Sequence, residues 1–242
     1  LMGEHKRYEF VIRWGESRDT DDSEGRIVTK YDRRPKRHEI ESALAGFRGQ
    51  FLQRPPDFSA VKVGGKRAYI LARSRQPLIL NERLVKVYKL ELLNILSRDS
   101  AAFILDCGKG VYVRSIARDL GEKLGVGGHV VELRRIKVGP FNVDTAISLA
   151  QLEELKDIRG LAGRLLPLEQ GLSGVPVVSV DPGQASRLRH GQRIPLTTAL
   201  VDCGERIKAP AVLCAVLAKR PVALVDFDEG EIRPRRVFNY VA

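Results

Sequence analysis

The chain has 242 residues, 43% of them apolar, which is enough for one large core or two smaller ones. Lysine and arginine outnumber aspartate and glutamate 41 to 30, a formal charge of +11 that makes a polyanion the natural partner, although such an excess also serves solubility. Three cysteines without a C-x-x-C spacing, four histidines set apart from them, and no apolar run near the ~18 residues of a membrane helix argue against a disulfide framework, a zinc site or a membrane span, so a soluble cytoplasmic protein is expected.

Tyr8, Phe10, Ile12 and Trp14 alternate with Arg7, Glu9, Val11 and Arg13, the two-residue period of a strand with one buried face. The acidic stretch Asp19-Thr20-Asp21-Asp22-Ser23-Glu24-Gly25 then turns into a second strand around Arg26 to Tyr31. It fails as a calcium loop, because Glu24 stands at the glycine position and Lys30 at the closing glutamate, so a solvated hairpin is expected. Pro35 to Phe47 reads as a helix with Ile40, Leu44 and Phe47 on one face. Pro55 to Arg73 mixes turn residues, aromatics and cations. Lys62, Lys66, Arg67, Arg73 and Arg75 suit an element that grips phosphates, with Phe58 and Tyr69 for stacking. A surface loop and short helix with inward aromatics fits the same residues.

Strands are expected over Arg83 to Ile95 and Ala101 to Cys107, the second stopped by the glycines flanking Lys109. Beyond it Val113, Ile116, Ala117, Leu120 and Leu124 recur at the spacing of a buried helical face. Arg114 falls off that stripe in the first turn, the end of the macrodipole that prefers anions. A half-buried guanidinium there needs a carboxylate or phosphate to fork onto; a solvated arginine on an ordinary amphipathic helix is the alternative. With Tyr112 two residues earlier, a flat ring and a fixed charge can stand together at the mouth of a pocket. Gly127 to Gly139 reads as a loop feeding a strand with alternating basic residues, and His129 as a structural loop histidine. No G-x-G-x-x-G, P-loop or G-x-S-x-G motif is present.

After a helical stretch from Ser148 to Leu166, the run Gly171-Leu172-Ser173-Gly174-Val175-Pro176 marks a boundary. Roughly 68 residues follow, near the lower limit for an independent domain. Ala211 to Ala218, Val222 to Phe227 and Ile232 to Tyr240 are β-prone, with Asp228-Glu229-Gly230 as a turn, and suggest a small β-barrel.

Five motifs occur in order along the chain: Lys6-Arg7-Tyr8, Asp19-Thr20-Asp21, Phe58-Ser59-Ala60-Val61-Lys62, Gly108-Lys109-Gly110-Val111-Tyr112-Val113-Arg114 and Gly128-His129-Val130-Val131-Glu132-Leu133-Arg134-Arg135. Together they closely resemble the TruB family of bacterial tRNA pseudouridine synthases. The resemblance implies an α+β fold: a mixed, largely antiparallel pseudouridine-synthase sheet with flanking helices over residues 1–173, an RNA-gripping insertion at about 54–82, and a PUA-type β-barrel over 174–242. It implies an isomerase that converts uridine 55 of the tRNA T loop to pseudouridine as a monomer, with no cofactor, metal, membrane or protein partner. The uridine must leave its stack and turn inside a closed pocket. By the resemblance, Tyr8 would stack on the base and assist proton removal from C5, Tyr112 and Leu133 would wall the pocket, and Arg114 would hold the catalytic aspartate ionised. Lys62, Lys66, Arg67, Arg73, Lys109, Arg134 and Arg135 would meet RNA.

One motif of the family is absent. Its nucleophilic aspartate lies in a stretch of the form G-H-T-G-T-L-D-P-x-A-T-G upstream of the tyrosine strand, and the single Asp-Pro pair here, Asp181-Pro182, lies in the C-terminal segment without those flanks. On this reading the chain is a synthase without its first several dozen residues and is inactive alone. Arg114 would then be left without its carboxylate, at a cost on the order of 3 to 5 kcal/mol if buried. Two other readings fit the same residues. One is a non-catalytic tRNA-binding or tRNA-folding module. The other is the guide-RNA-dependent relative of archaea and eukaryotes, against which the insertion after Phe58 argues.

Overall fold

The computed structural model describes residues 5–74, 76, 78–155, 160, 162–195 and 211–239. The N-terminal alternation folds as a strand, β1 (Lys6–Trp14), with Tyr8, Phe10, Ile12 and Trp14 buried. It lies between β8 (Ser100–Cys107) and β9 (Gly128–Val138), antiparallel to both. The ladder continues through β7 (Arg83–Ser97) to β4 (Gly49–Gln53) on one side and to the short β10 (Phe141–Asn142) on the other. The result is a six-stranded antiparallel sheet in the order β10-β9-β1-β8-β7-β4.

One face of this sheet is apolar because β1 and β8 alternate in register. Phe10 stands opposite Phe103 with ring centroids 5.4 Å apart, and the Trp14 ring meets Phe103 edge-on at 6.1 Å. Two helices cover that face, α1 (Arg37–Leu44) with Ile40, Ala43 and Leu44, and α3 (Val113–Lys123) with Val113, Ile116, Ala117 and Leu120. The approach of α3 to β9 is close. A Cβ on Gly121 would lie 2.4 Å from the backbone nitrogen of Gly128, so only glycine lets the helix pass. Between β4 and β7, a hairpin of β5 (Lys62–Val63) and β6 (Lys66–Arg67) and helix α2 (Ala68–Arg73) close over a small core of Val61, Ala68 and Leu80.

The chain divides into two compact units, Leu1–Ala146 and Ile147–Ala242. Within the second, β11 (Val177–Ser179), β12 (Ile194–Pro195), β13 (Ala211–Leu217), β14 (Arg220–Asp228) and β15 (Glu231–Val237) form a sheet in the order β11-β13-β14-β15-β12. All its pairings are antiparallel except β11 with β13. Its core contains Val178, Leu188, Ile194, Leu213, Val225 and Ile232. The fold is therefore α+β with largely antiparallel sheets.

Four local features differ from the sequence reading. His129 is in no loop: β9 starts at Gly128, because pairing with Trp14 and Arg13 extends the ladder, and the histidine is 1% exposed. The edge strand β4 is too short and polar to carry a period, and was not expected. Among the described residues, the stretch from Ser148 to Leu166 holds the short helix Leu149–Glu153, capped by Ser148. Asp181, of the single Asp-Pro pair, caps an unexpected helix, Pro182–Arg189: its carboxylate accepts from the Gln184 amide at 2.8 Å, and Pro182 opens the helix. Arg75, Cys203 and Tyr240 lie outside the described residues. Among those residues no helix is long and apolar enough to cross a membrane.

Phe103 is fully buried between two aromatic neighbours, so Phe103→Ala should cost about 3 to 5 kcal/mol of unfolding free energy. Guanidinium unfolding of the two proteins measures it. A loss under about 1 kcal/mol would place the ring outside the core.

Candidate active site

Arg114 occupies the second residue of α3, and the helix turns it toward the acidic hairpin. Its Nη1 donates to Asp22 Oδ2 at 2.9 Å and to the Thr20 carbonyl at 3.1 Å, while Nη2 donates to the Phe58 carbonyl at 2.8 Å. The side chains of Arg114 and Asp22 are each 24% exposed. The expected unpaired guanidinium is therefore not found: Asp22 neutralises it, from a turn that composition marked as solvated. That turn is a built element. The Thr20 hydroxyl donates to Asp22 Oδ1 at 2.6 Å, and Asp19 Oδ1 accepts the Arg26 amide at 2.8 Å. Arg18 reaches across to the carbonyls of Ser23 and Gly25 at 3.0 and 2.8 Å. A Cβ on Gly25 would fall 2.3 Å from Thr20 Oγ1, so glycine is required where the turn closes.

One helical turn beyond Arg114, a second guanidinium makes a parallel set of contacts. Arg118 Nη1 donates to Asp21 Oδ2 at 3.0 Å, Nε to Asp119 Oδ1 at 2.8 Å and Nη2 to the Arg54 carbonyl at 2.9 Å. The sequence reading gives no site role to Asp21, Asp22 or Arg118, although Asp19-Thr20-Asp21 is among the family motifs; the mismatch of a cation at a helix N-terminus demands a partner without naming it.

Tyr8 stands on the buried face of β1 opposite Arg135, whose guanidinium lies 5.3 Å from the ring centroid. Burial raises the Tyr8 phenol above its ordinary value, and Arg135 acts against that rise, so the hydroxyl keeps its proton at neutral pH. Leu133 follows on the same strand opposite Phe10, half exposed. Tyr112 is fixed through its backbone: its amide donates to Gln53 Oε1 at 2.9 Å and its carbonyl accepts from Gln53 Nε2 at 3.2 Å. Its ring packs on the small core of Val61, Ala68 and Leu80.

The basic residues separate into three places. Lys62, Lys66 and Arg67 are exposed on the β5–β6 hairpin, and Arg73 lies over the Tyr69 ring at 5.6 Å on α2. Lys109 lines a depression of about 310 Å³ with Lys86, Tyr88 and Gln50. Arg134 stands at the register position opposite Glu9, on the other sheet face from Arg135, and lines a cavity of about 260 Å³ with Arg7, Lys137 and Asp144. Cys107 is buried, and burial pushes its thiol up to about 12, which makes it inert at neutral pH. His129 packs against Glu16, its Nδ1 3.4 Å from that residue's carbonyl.

Residues 1–113 match the model of the TruB family pseudouridylate synthase N-terminal domain, and residues 114–173 match that of the tRNA pseudouridylate synthase B C-terminal domain. Proteins named tRNA pseudouridine synthase B are similar over nearly the whole chain. That of Cereibacter sphaeroides is 44% identical over 97% of this chain and 76% of its own length, and that of Bradyrhizobium diazoefficiens 41% identical over 99% and 69%. Among solved structures, a Cbf5-Nop10-Gar1 complex has a chain similar in fold, with a TM-score of 0.72 at 22% identity over 98% of this chain and 67% of that one.

Burial pushes the Asp21 carboxyl up to about 6, against the pull of Arg118, and the same cause raises Asp119. Because the folded-state value lies above the unfolded one, the native protein keeps this proton longer as pH rises. The stability it contributes is complete below about pH 4 and is lost as pH climbs through about 6. Asparagine tolerates the left-handed backbone of Asp21, at φ 61°, and carries no such titration. Asp21→Asn should therefore gain on the wild type by on the order of 2 kcal/mol between pH 4 and 7 in urea unfolding. Parallel stability curves would show that the Asp21 carboxyl is not desolvated.

Proposed function

This chain belongs to the TruB family of pseudouridylate synthases, and we propose that it carries the base-turning half of a site that isomerises uridine 55 in the T loop of tRNA. The observation that carries this reading is the state of Arg114. Three of its five N–H donors are engaged by Asp22, Thr20 and Phe58. Among the described residues the Nε–H makes no hydrogen bond and Nη2 makes one, so the guanidinium keeps donor capacity for a second carboxylate. A nucleophilic aspartate held there stays ionised, because an adjacent guanidinium lowers a carboxylate pKa. These 242 residues hold no stretch of the family's aspartate motif, so the chain by itself is expected not to turn over.

Chemically, the N1–C1′ glycosidic bond breaks, the freed uracil turns, C5 bonds to C1′, the C5 proton leaves, and N1 takes up a proton, so the product is an isomer of the substrate. Tyr8 stacks on the flipped base, with Tyr112 and Leu133 as the apolar wall, where water is excluded. As a protonated phenol, Tyr8 acts by stacking and by donating a hydrogen bond; to assist removal of the C5 proton it must first pass its own proton to water, and Arg135 over its ring favours the phenolate so formed. Lys62, Lys66, Arg67, Arg73, Lys109, Arg134 and Arg135 supply phosphate contacts, which are sequence-independent and salt-sensitive. Residues 174–242 act as a PUA-type RNA-binding domain in addition to the catalytic domain of 1–173 and its insertion at about 54–82. We take the working protein to be a cytoplasmic monomer that needs neither cofactor, metal, guide RNA nor protein partner.

Tritium release from C5-labelled uridine in a T stem-loop, with no guide RNA added, tests this. These 242 residues joined to an upstream segment that carries the family's aspartate motif, hereafter the full-length protein, should release tritium, and the 242 residues alone should not. Tyr8→Phe in the full-length protein should lower kcat by at least about tenfold with little change in RNA affinity. Release by the 242-residue chain would assign the nucleophile to a residue within it. Tight RNA binding with no release by the full-length protein would make it a binding module.

A further inference from the structure

Arg114 and Arg118 lie one helical turn apart on α3, and their contacts repeat. Each bonds one of two successive aspartates, Asp22 or Asp21, and each donates to a carbonyl of the segment entering the insertion, Phe58 or Arg54. The Ser115 hydroxyl adds a second bond to the Arg54 carbonyl at 2.8 Å. The first guanidinium belongs to the proposed catalytic set; the second has no role there. Resting on that reading, we propose that Arg118 and Asp21 are positioning residues, holding the acidic turn so that Asp22 and the Thr20 carbonyl face the Arg114 guanidinium.

The backbone supports this. Asp21 sits at φ 61°, a conformation sparsely populated by residues other than glycine, and such a residue persists only where its surroundings over-determine it. Its carbonyl accepts the Val130 amide at 3.0 Å and its amide donates to the Arg18 carbonyl at 3.1 Å, so β9 and β2 (Glu16–Arg18) hold its main chain while α3 holds its side chain. The next residue, Asp22, is thereby presented to Arg114. Asp21 is 8% exposed, and a carboxylate buried so deeply is poor material for stability alone. The charged groups facing it are Arg118, Asp119 and Arg114 from α3 and Asp22 from its own turn; β9 meets it through backbone. Asp21 and Asp119 share one guanidinium. When Asp21 loses its charge, Arg118 keeps Asp119 and the turn loses its tether.

Asp21→Asn in the full-length protein removes the charge and keeps both shape and backbone preference. On T stem-loop RNA we expect kcat to fall on the order of tenfold with KM within about twofold. At pH 7 the melting temperature should not fall, and the acid limb of the wild-type kcat/KM profile near pH 6 should disappear. An unchanged kcat, a retained acid limb, or kcat and melting temperature falling together would overturn the proposal. A second readout does not depend on turnover: the 15N-detected Nε–H signal of Arg114 should shift and broaden in Asp21→Asn, and in the wild type on acidification through pH 6. A wild type that turns over no T stem-loop RNA defeats the functional reading alone. An Arg114 signal indifferent to both changes defeats this inference.

Discussion

The ion pair between Arg114 and Asp22 joins residues 92 positions apart, and the candidate site depends on it. A guanidinium at the N-terminus of a helix is electrostatically misplaced, since the backbone amides there already favour negative charge. Asp22 removes the conflict and also fixes direction. With Asp22, the Thr20 carbonyl and the Phe58 carbonyl all bonded, the guanidinium plane has little freedom left. Orientation of this kind is what enables a charged group to act on a reacting partner without reorganising when the reaction begins.

The sheet supplies the precision behind that pair. β1 sits centrally between β8 and β9, and its C-terminal end runs on through β2 into the acidic turn, so the turn starts from the most constrained strand of the unit. Helix α3 is seated by a full apolar stripe and by the glycine contact at Gly121, so Arg114 has an equally fixed base. Gln53 completes the frame by binding both backbone groups of Tyr112, immediately ahead of the helix. Ring, cation and carboxylate are thus held by three different parts of one core, the arrangement that keeps a site within a fraction of an ångström of its working geometry.

Sequence made the elements with strong periods plain. The alternation of Tyr8, Phe10, Ile12 and Trp14 and the stripe of Val113, Ile116, Ala117 and Leu120 state their buried faces directly, because each period is a geometric consequence of one backbone conformation. The anomaly at Arg114 was equally legible as a need for an acidic partner. The identity of that partner was not. Asp22 lies in a polar run whose composition is that of any solvated turn, and its burial arises from β9 and α3, which no local window contains. Family resemblance pointed to an aspartate outside these residues, and so drew attention from the two present. The helix cap at Asp181 is a different case: the Asp-Pro pair and Gln184 form a capping signature, but the sequence reading assigns no element between Pro176 and Ala211.

The coupling between Arg114 and Asp22 tests this picture most directly, by a double-mutant cycle of Asp22→Asn and Arg114→Gln on unfolding free energy. A mutually oriented, largely buried pair should give a coupling of about 1 to 3 kcal/mol. A coupling below about 0.3 kcal/mol would place the two residues in the class of exposed surface pairs and contradict a site organised around them.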